Sequence, residues 1–476
     1  MTLARRSESR LNSAVRSYLK TRGVCYENQP WEIRRSDVGG YGVFVTRDVD
    51  VGEEIFRDSP VILGPRCLPN CPLICIGCWG KKELRGCKNN CGLPVCSEEC
   101  QNEHRELCEI ILRYCKDVNE GSISRELFEN CTPIKALLLD DEDKEAVTSC
   151  LEAHGGGDHG REVDALKKLS FEFDDDQEKF MRFVCCVLDA NAFEVATRDD
   201  EDDDRQTNSL RGLYPLGSLA NHSCVPNTMH VFDKNHRMIT RAAAFIPKNG
   251  EIFHSYTRII WASVTRLYHL RRTKHFVCKC DRCEDPTEFG TYMGAVLCKQ
   301  CGGSVIPVNP HKANSRWRCQ QCKRFVTGRE AGETLSMLGA VLRGMDANNF
   351  DVMTRFLNGK LKSVVPTYSQ VSTELKYKIV WILGHKSPYT LQELTVELLN
   401  FKVRLCDDLL LLLARLRLGR VKMRGLLLYE LFCCLRELDK RDEKIDRDAN
   451  ISTYLEEAAD ILRFDVTAPQ ELKRAW

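Results

Sequence analysis

Cysteine spacing constrains this chain more than any other feature. The first cluster runs Cys75-x2-Cys78, Cys87-x3-Cys91, Cys96-x3-Cys100 and His104-x3-Cys108, seven thiols and one imidazole. Eight such donors are what two tetrahedral zinc ions require. The closing His104-x3-Cys108 pair lies on one face of a helix, one turn apart. Cys298-x2-Cys301 and Cys319-x2-Cys322 make a zinc-ribbon pattern complete in itself. Cys278-x-Cys280-x2-Cys283, by contrast, supplies three donors and has no free cysteine nearby for the fourth. The expected fourth is Cys224, held in the turn "NHSCVPN" at Asn221–Asn227, provided that this turn packs against the later tail. These assignments leave 11 of the 26 cysteines. Cys67 and Cys71 lie where either is able to replace a weak ligand of the first cluster. Cys185, Cys186, Cys433 and Cys434 sit in apolar helical surroundings and read as buried free thiols.

Clustered cysteines without a secretory leader point to a reducing, intracellular setting, with nucleus and cytoplasm both open. The first twenty residues, rich in Arg and Ser, lack an apolar core and read as an amphipathic helix rather than a mitochondrial presequence. A chain of 476 residues is too long for one core, so several modules are expected. A net charge of +1 offers no bulk attraction for nucleic acid. No apolar run reaches the roughly 18 residues that span a membrane.

Short β-branched and aromatic runs broken by glycines predict strands from Trp31 to about Arg66 and again from Gly212 to Ile260. Between them, Glu109 to Ala196 carries apolar residues at helical spacing. The acidic run "DDEDDD" at Asp199–Asp204 is expected to be a solvated loop. From about Glu330 onward the pattern is amphipathic helix, as in "LKYKIVWILGH" and "MRGLLLYELFCCLREL". Paired helices of this kind commonly stack as solenoids.

Several motifs together resemble the SET- and MYND-domain protein lysine methyltransferases. "GGYGVFVTRDVDVGEEIF" resembles the opening SET strands, and Cys75–Cys108 the MYND zinc finger inserted within them. "VLDANAFEV" is similar to the family's Asn-bearing helix, "GLYPLGSLANHSCVPN" and "GEIFHSYT" to the two core SET motifs, and "FVCKCDRC" to the post-SET tail. The extra ribbon after that tail is similar to the arthropod branch. The resemblance implies an α+β multidomain fold. Its segments are an N-terminal helix (1–30), a first SET part (31–66), the finger (67–110), a helical insert (111–196), the SET core (197–262), the post-SET tail (263–286), the ribbon (287–330) and a tetratricopeptide-like helical domain (331–476).

It also implies S-adenosylmethionine and about four zinc ions as cofactors, with a protein bearing a target lysine as substrate. Tyr256 is then the catalytic residue. Gly40, Tyr41, Gly42, Asn191, Asn221, His222 and Phe276 are then cofactor contacts, together with Tyr256 itself. The segment "CLEAHGGG" adds His154, with Glu152 beside it. The finger suggests proline-rich peptide partners; a monomer without membrane or nucleic-acid association is expected. The rival expectation is a non-catalytic SET/MYND scaffold. Three residues separate Cys100 from His104 where the family has about seven, so the reach of His104 to the second zinc is a point for the structure to decide. Gly250 stands in place of a family glutamate, where it is expected to affect a turn rather than catalysis.

Overall fold

A hairpin opens the β-structure: Trp31–Arg35 pairs antiparallel with Tyr41–Val45, and Trp31, Ile33, Val43 and Val45 alternate into the core. The turn between them needs a left-handed residue, and Gly40 supplies it at φ +60°. The computed structural model describes residues 7–26, 28–66, 72–116, 121–153, 159–197, 208–312, 314–346, 349–385, 387–441 and 450–473. The acidic run Asp199–Asp204, His154, Cys67 and Cys71 lie outside the described residues.

Three further sheets complete the β-core. Met238–Ala242 lies between Thr228–Phe232 and Glu54–Asp58, and Asn208–Leu213 lies between Ile62–Pro65 and Phe193–Thr197. Asn221–His222 and Phe253–His254 meet as a two-residue parallel pair. Parallel neighbours need a long connection, so two motifs distant in sequence lie side by side here. The amphipathic N-terminal helix, Glu8–Thr21, buries Leu11, Val15, Tyr18 and Leu19 in the same core. Its start is capped by the Ser7 hydroxyl, which accepts from the Arg10 amide.

The helical insert is shorter than the apolar period implies. The helix Asp175–Asn191, opened by an Asp174–Gln177 capping box, stops at Asn191, and Phe193–Thr197 is a strand. Pairing with Asn208–Leu213 overrides the helical pattern there, and that partner strand also begins ahead of the expected Gly212. Cys185, Cys433 and Cys434 are buried, as expected, whereas Cys186 is only half-buried because it lies on the outer side of the helix.

After the core, a helix Ser263–Thr273 and a short turn of helix Asp281–Glu284 form the tail. The ribbon is a four-stranded antiparallel sheet, Val296–Leu297, Ser304–Pro307, Trp317–Cys319 and Phe325–Val326. Helices follow to the end of the described residues, the longest being Val396–Arg415 and Lys422–Lys440. The helices Lys422–Lys440 and Ser452–Ile461 close against the sheet that holds Thr228–Phe232 and Met238–Ala242: Leu428, Phe432 and Ile461 pack on Met229, Val231 and Ile239. Arg241 bridges the same boundary, bonding Asp460 at 2.8 Å and the Gly52 carbonyl at 2.8 Å. Among the described residues no helix is long and apolar enough to cross a membrane.

One buried ionic knot anchors the tail. Arg266 and Arg282, both fully buried, donate to Glu288 Oε2 at 2.8 and 3.0 Å. Burial opposes the Glu288 carboxylate, but the two guanidiniums outweigh it and hold its pKa below the ordinary value. Removing one partner of such a cluster leaves uncompensated charge in the interior and costs about 3–5 kcal/mol. Glu288→Gln is therefore expected to lower the urea midpoint of the unit that contains it and to expose the tail to protease. An unchanged midpoint and digestion pattern would contradict this role.

Candidate active site and metal centres

The parallel contact between Asn221–His222 and Phe253–His254 forms the floor of a cavity of about 920 Å³. Gly40, Tyr41, Asn191, Asn221, His222, Tyr256 and Phe276 line it, so the structure brings together seven of the residues expected from sequence. Glu152 lines it as well. Gly42 does not. A side chain there would overlap the Glu251 carboxylate and crowd the Asn221 amide, so Gly42 makes room behind the wall rather than at the ligand face.

A hydrogen-bond network fixes this wall. The Asn221 side chain donates to the Tyr41 carbonyl at 3.1 Å and to Glu251 Oε1 at 2.7 Å, while Glu251 Oε2 accepts from the Ser36 hydroxyl at 2.9 Å. Asn227 donates to the Glu251 carbonyl and accepts from the Phe253 amide, at 2.7 and 2.8 Å. Asn191 donates to the Glu152 and Val187 carbonyls, each at 2.7 Å, tying the helix end to the cavity rim. Glu251 was not singled out by sequence reasoning; its position directly after Gly250 was the available signal. Gly250 itself closes a turn on the Pro247 carbonyl at 2.8 Å, with no room for a side chain.

Tyr256 sits where the walls converge. Its hydroxyl donates to the Ala220 carbonyl at 2.7 Å, and burial, with smaller contributions from Glu152 and Glu251, pushes the phenol far above its ordinary pKa. It therefore stays protonated at neutral pH. Its amide donates to His222 Nδ1 at 2.9 Å, which leaves Nε2 to carry the imidazole proton, 3.2 Å from Cys224 Sγ. Burial holds His222 neutral, its pKa drawn down to about 4. Phe276 stands edge-on to Tyr256 with ring centres 6.5 Å apart, and 5.9 Å from His222.

Among the described residues, fifteen cysteines and His104 gather into four groups of four, with all donor atoms of a group within 4.8 Å of one another. Tetrahedral zinc with thiolate arms of about 2.3 Å places its donors about 3.8 Å apart. Cys224 lies 3.4 Å from Cys283 and 3.9 Å from Cys278, and Cys280 completes the set. In the ribbon, Cys298–Cys322 is 3.7 Å and Cys301–Cys319 is 3.5 Å. These separations match zinc edges and are far too long for disulfides.

The finger interleaves its two sites: Cys75, Cys78, Cys96 and Cys100 form one, and Cys87, Cys91, His104 and Cys108 the other. His104 reaches its group despite the short spacing, with Nε2 3.6 Å from Cys91 Sγ. The reason is a break in the helix: Glu98–Glu103 ends and Arg105–Tyr114 begins with His104 at the joint. His104 Nδ1 pairs with the Cys100 carbonyl at 3.0 Å, which orients Nε2 toward the metal position.

Fold and cavity together define a SET-type architecture, and the sequence model of the SET domain family matches residues 40–257. The Drosophila melanogaster SET domain-containing protein SmydA-8, isoform A, is 32% identical over 423 residues, covering 86% of this chain and 90% of that one. The mouse histone-lysine N-methyltransferase SMYD3 is 26% identical over 306 residues, covering 58% and 67%. Among solved structures, the SET domain of LSMT bound to lysine and AdoHcy aligns over 99% of this chain and 91% of that one at 12% identity, with a TM-score of only 0.29. This chain belongs to the SET- and MYND-domain family of protein lysine methyltransferases, in its arthropod branch.

Metal analysis of the purified protein is expected to return four zinc ions per chain, one for each group. A count of two or fewer would contradict the assignment.

Proposed function

We propose that this chain is an S-adenosylmethionine-dependent protein lysine N-methyltransferase. The observation that carries the reading is that two cavities meet at Tyr256. The first, of about 920 Å³, is the one described above; the second, of about 770 Å³, shares Tyr256, Ser218, Ala190, Asn191 and Lys274 with it. Methyl transfer to an amine is an in-line displacement, so donor and acceptor must approach the carbon from opposite sides. Two chambers that share Tyr256 suit such an approach, and alignment of this kind removes much of the entropic barrier.

When bound, S-adenosylmethionine supplies an electrophilic methyl group on sulfur. The residues fit such a guest: Phe276 offers an aromatic face, Gly40 and Tyr41 offer backbone near the mouth, and the Asn221–His222 segment offers main-chain groups along the floor. The chain's remaining task is to present lysine as the neutral amine. An unperturbed lysine of pKa about 10.4 requires roughly 4 kcal/mol to deprotonate at pH 7.4. Burial against Tyr256 and its neighbours lowers that requirement by disfavouring the ammonium. Because Tyr256 keeps its own proton, it orients the amine and does not act as a base. Water in the open second cavity takes the proton.

Histones and other proteins are both suitable substrates on this reading. Tyr256→Phe retains the ring and deletes the hydroxyl. It is expected to keep its four zinc ions and to lower methylation of proteins in a cell extract by about a hundredfold or more, the range seen when one preorganised hydrogen-bonding group is removed. Incorporation of labelled methyl that is equal in wild type and variant would overturn the reading, and absence of incorporation by the wild type would favour a scaffold.

A further inference from the structure

The mechanism above uses no lysine of this chain, yet one stands at the junction of the two cavities. Lys274 follows the last turn of the helix Ser263–Thr273 and borders both chambers. Its ammonium nitrogen lies 5.7 Å from the centre of the Tyr256 ring and donates to the Ala190 carbonyl at 2.5 Å. An aromatic face and a main-chain carbonyl are what an incoming target lysine would itself require. The position is thus furnished with a substrate-like side chain from within the protein. Burial draws the Lys274 pKa down to about 8, with Asp189 opposing it only in part. About a fifth of a group with that pKa is neutral at pH 7.4, against about a thousandth for an ordinary lysine.

We propose that Lys274 is itself a methyl acceptor, modified by the active site of its own chain. This rests on the methyltransferase reading given above. The Nζ lone pair forms a bond to the methyl carbon of the sulfonium donor as the carbon–sulfur bond breaks, and that electron pair passes to sulfur. The resulting methylammonium releases a proton to water in the second cavity, which leaves a neutral methylamine and a neutral thioether. Lys274 keeps its hold on Ala190 through a remaining N–H.

Full-length zinc-loaded protein incubated with S-adenosylmethionine bearing a deuterated methyl group, then digested and mapped by mass spectrometry, tests this. The expected result is methyl on the peptide containing Lys274, heavy or already present as light methyl in the isolated protein. Its rate of appearance per chain does not change on dilution, and the mark at this position is lost in Lys274→Arg. A second measurement needs no turnover: an amine-acylating reagent at neutral pH labels Lys274 in the free protein, and S-adenosylhomocysteine shields it. Lys274 left unmethylated in a preparation that methylates extract proteins overturns the proposal and leaves the enzyme reading standing. A preparation that methylates nothing and binds no S-adenosylhomocysteine overturns both. Labelling that slows on dilution, or acylation unaffected by S-adenosylhomocysteine, overturns modification within the chain.

Discussion

The structure depends on one metal-sized contact, the meeting of Cys224 with Cys278, Cys280 and Cys283. Cys224 lies 54 and 59 residues before Cys278 and Cys283, and no strand pairing joins those two segments. A zinc ion held by these four thiolates would therefore do the work of a sheet, fixing the Asn221–Asn227 turn on one side and the tail that carries Phe276 and Lys274 on the other. The site is also wired into the cavity. His222 bonds the Tyr256 amide through one ring nitrogen and faces Cys224 with the other, so the tyrosine and the metal position share one imidazole. Four thiolates around a divalent ion carry excess negative charge. Arg266, 3.6 Å from Cys283 Sγ, offsets part of it while also binding Glu288. Partners of this outer kind set the orientation and basicity of the ligands they touch.

The finger and ribbon are stabilised by the same chemistry, but without coupling to the cavity. In the finger, two short strands, Arg85–Gly86 and Pro94–Val95, are too small to stand alone. Interleaved ligands make each site hold the other's loop in place. The helical region takes a different route. Its packing is largely apolar but encloses buried polar groups, among them a Lys402–Glu430 pair at 2.6 Å and Lys376 on Asp408 at 2.8 Å, and it closes the back of the SET sheet while Arg417 reaches the cavity wall.

Much of this was legible in the sequence, and the reasons differ by residue. Spacing alone singled out the sixteen side chains that the structure gathers into four tetrads, because tetrahedral coordination demands four, and the count of the tail cluster left a vacancy beside which Cys224 lies. Spacing did not reveal the interleaving in the finger, since either pairing of adjacent couples satisfies the same arithmetic. Nor did it reveal that a helix break would bring His104 into reach. The strand Phe193–Thr197 was read as helix because its apolar residues continue the preceding period, and only its partner strand decides otherwise. Gly42 signalled a close approach, but a glycine does not say which atoms approach; here they belong to Glu251 and Asn221. Arg266, Arg282 and Glu288 left no trace, because charged residues in a polar stretch read as solvated surface until the fold buries them.

The central claim is that the tail metal site shapes the cofactor pocket, and Cys224→Ser tests it most directly. Zinc is counted in the purified variant, and S-adenosylhomocysteine is titrated into it by calorimetry. The account predicts loss of one of the four zinc ions, cofactor affinity reduced by about tenfold or more, and a helical circular dichroism signal that matches wild type. A variant that keeps all four ions and binds S-adenosylhomocysteine as wild type does would contradict it, and would make Cys224 a small buried side chain beside three ligands that need no fourth.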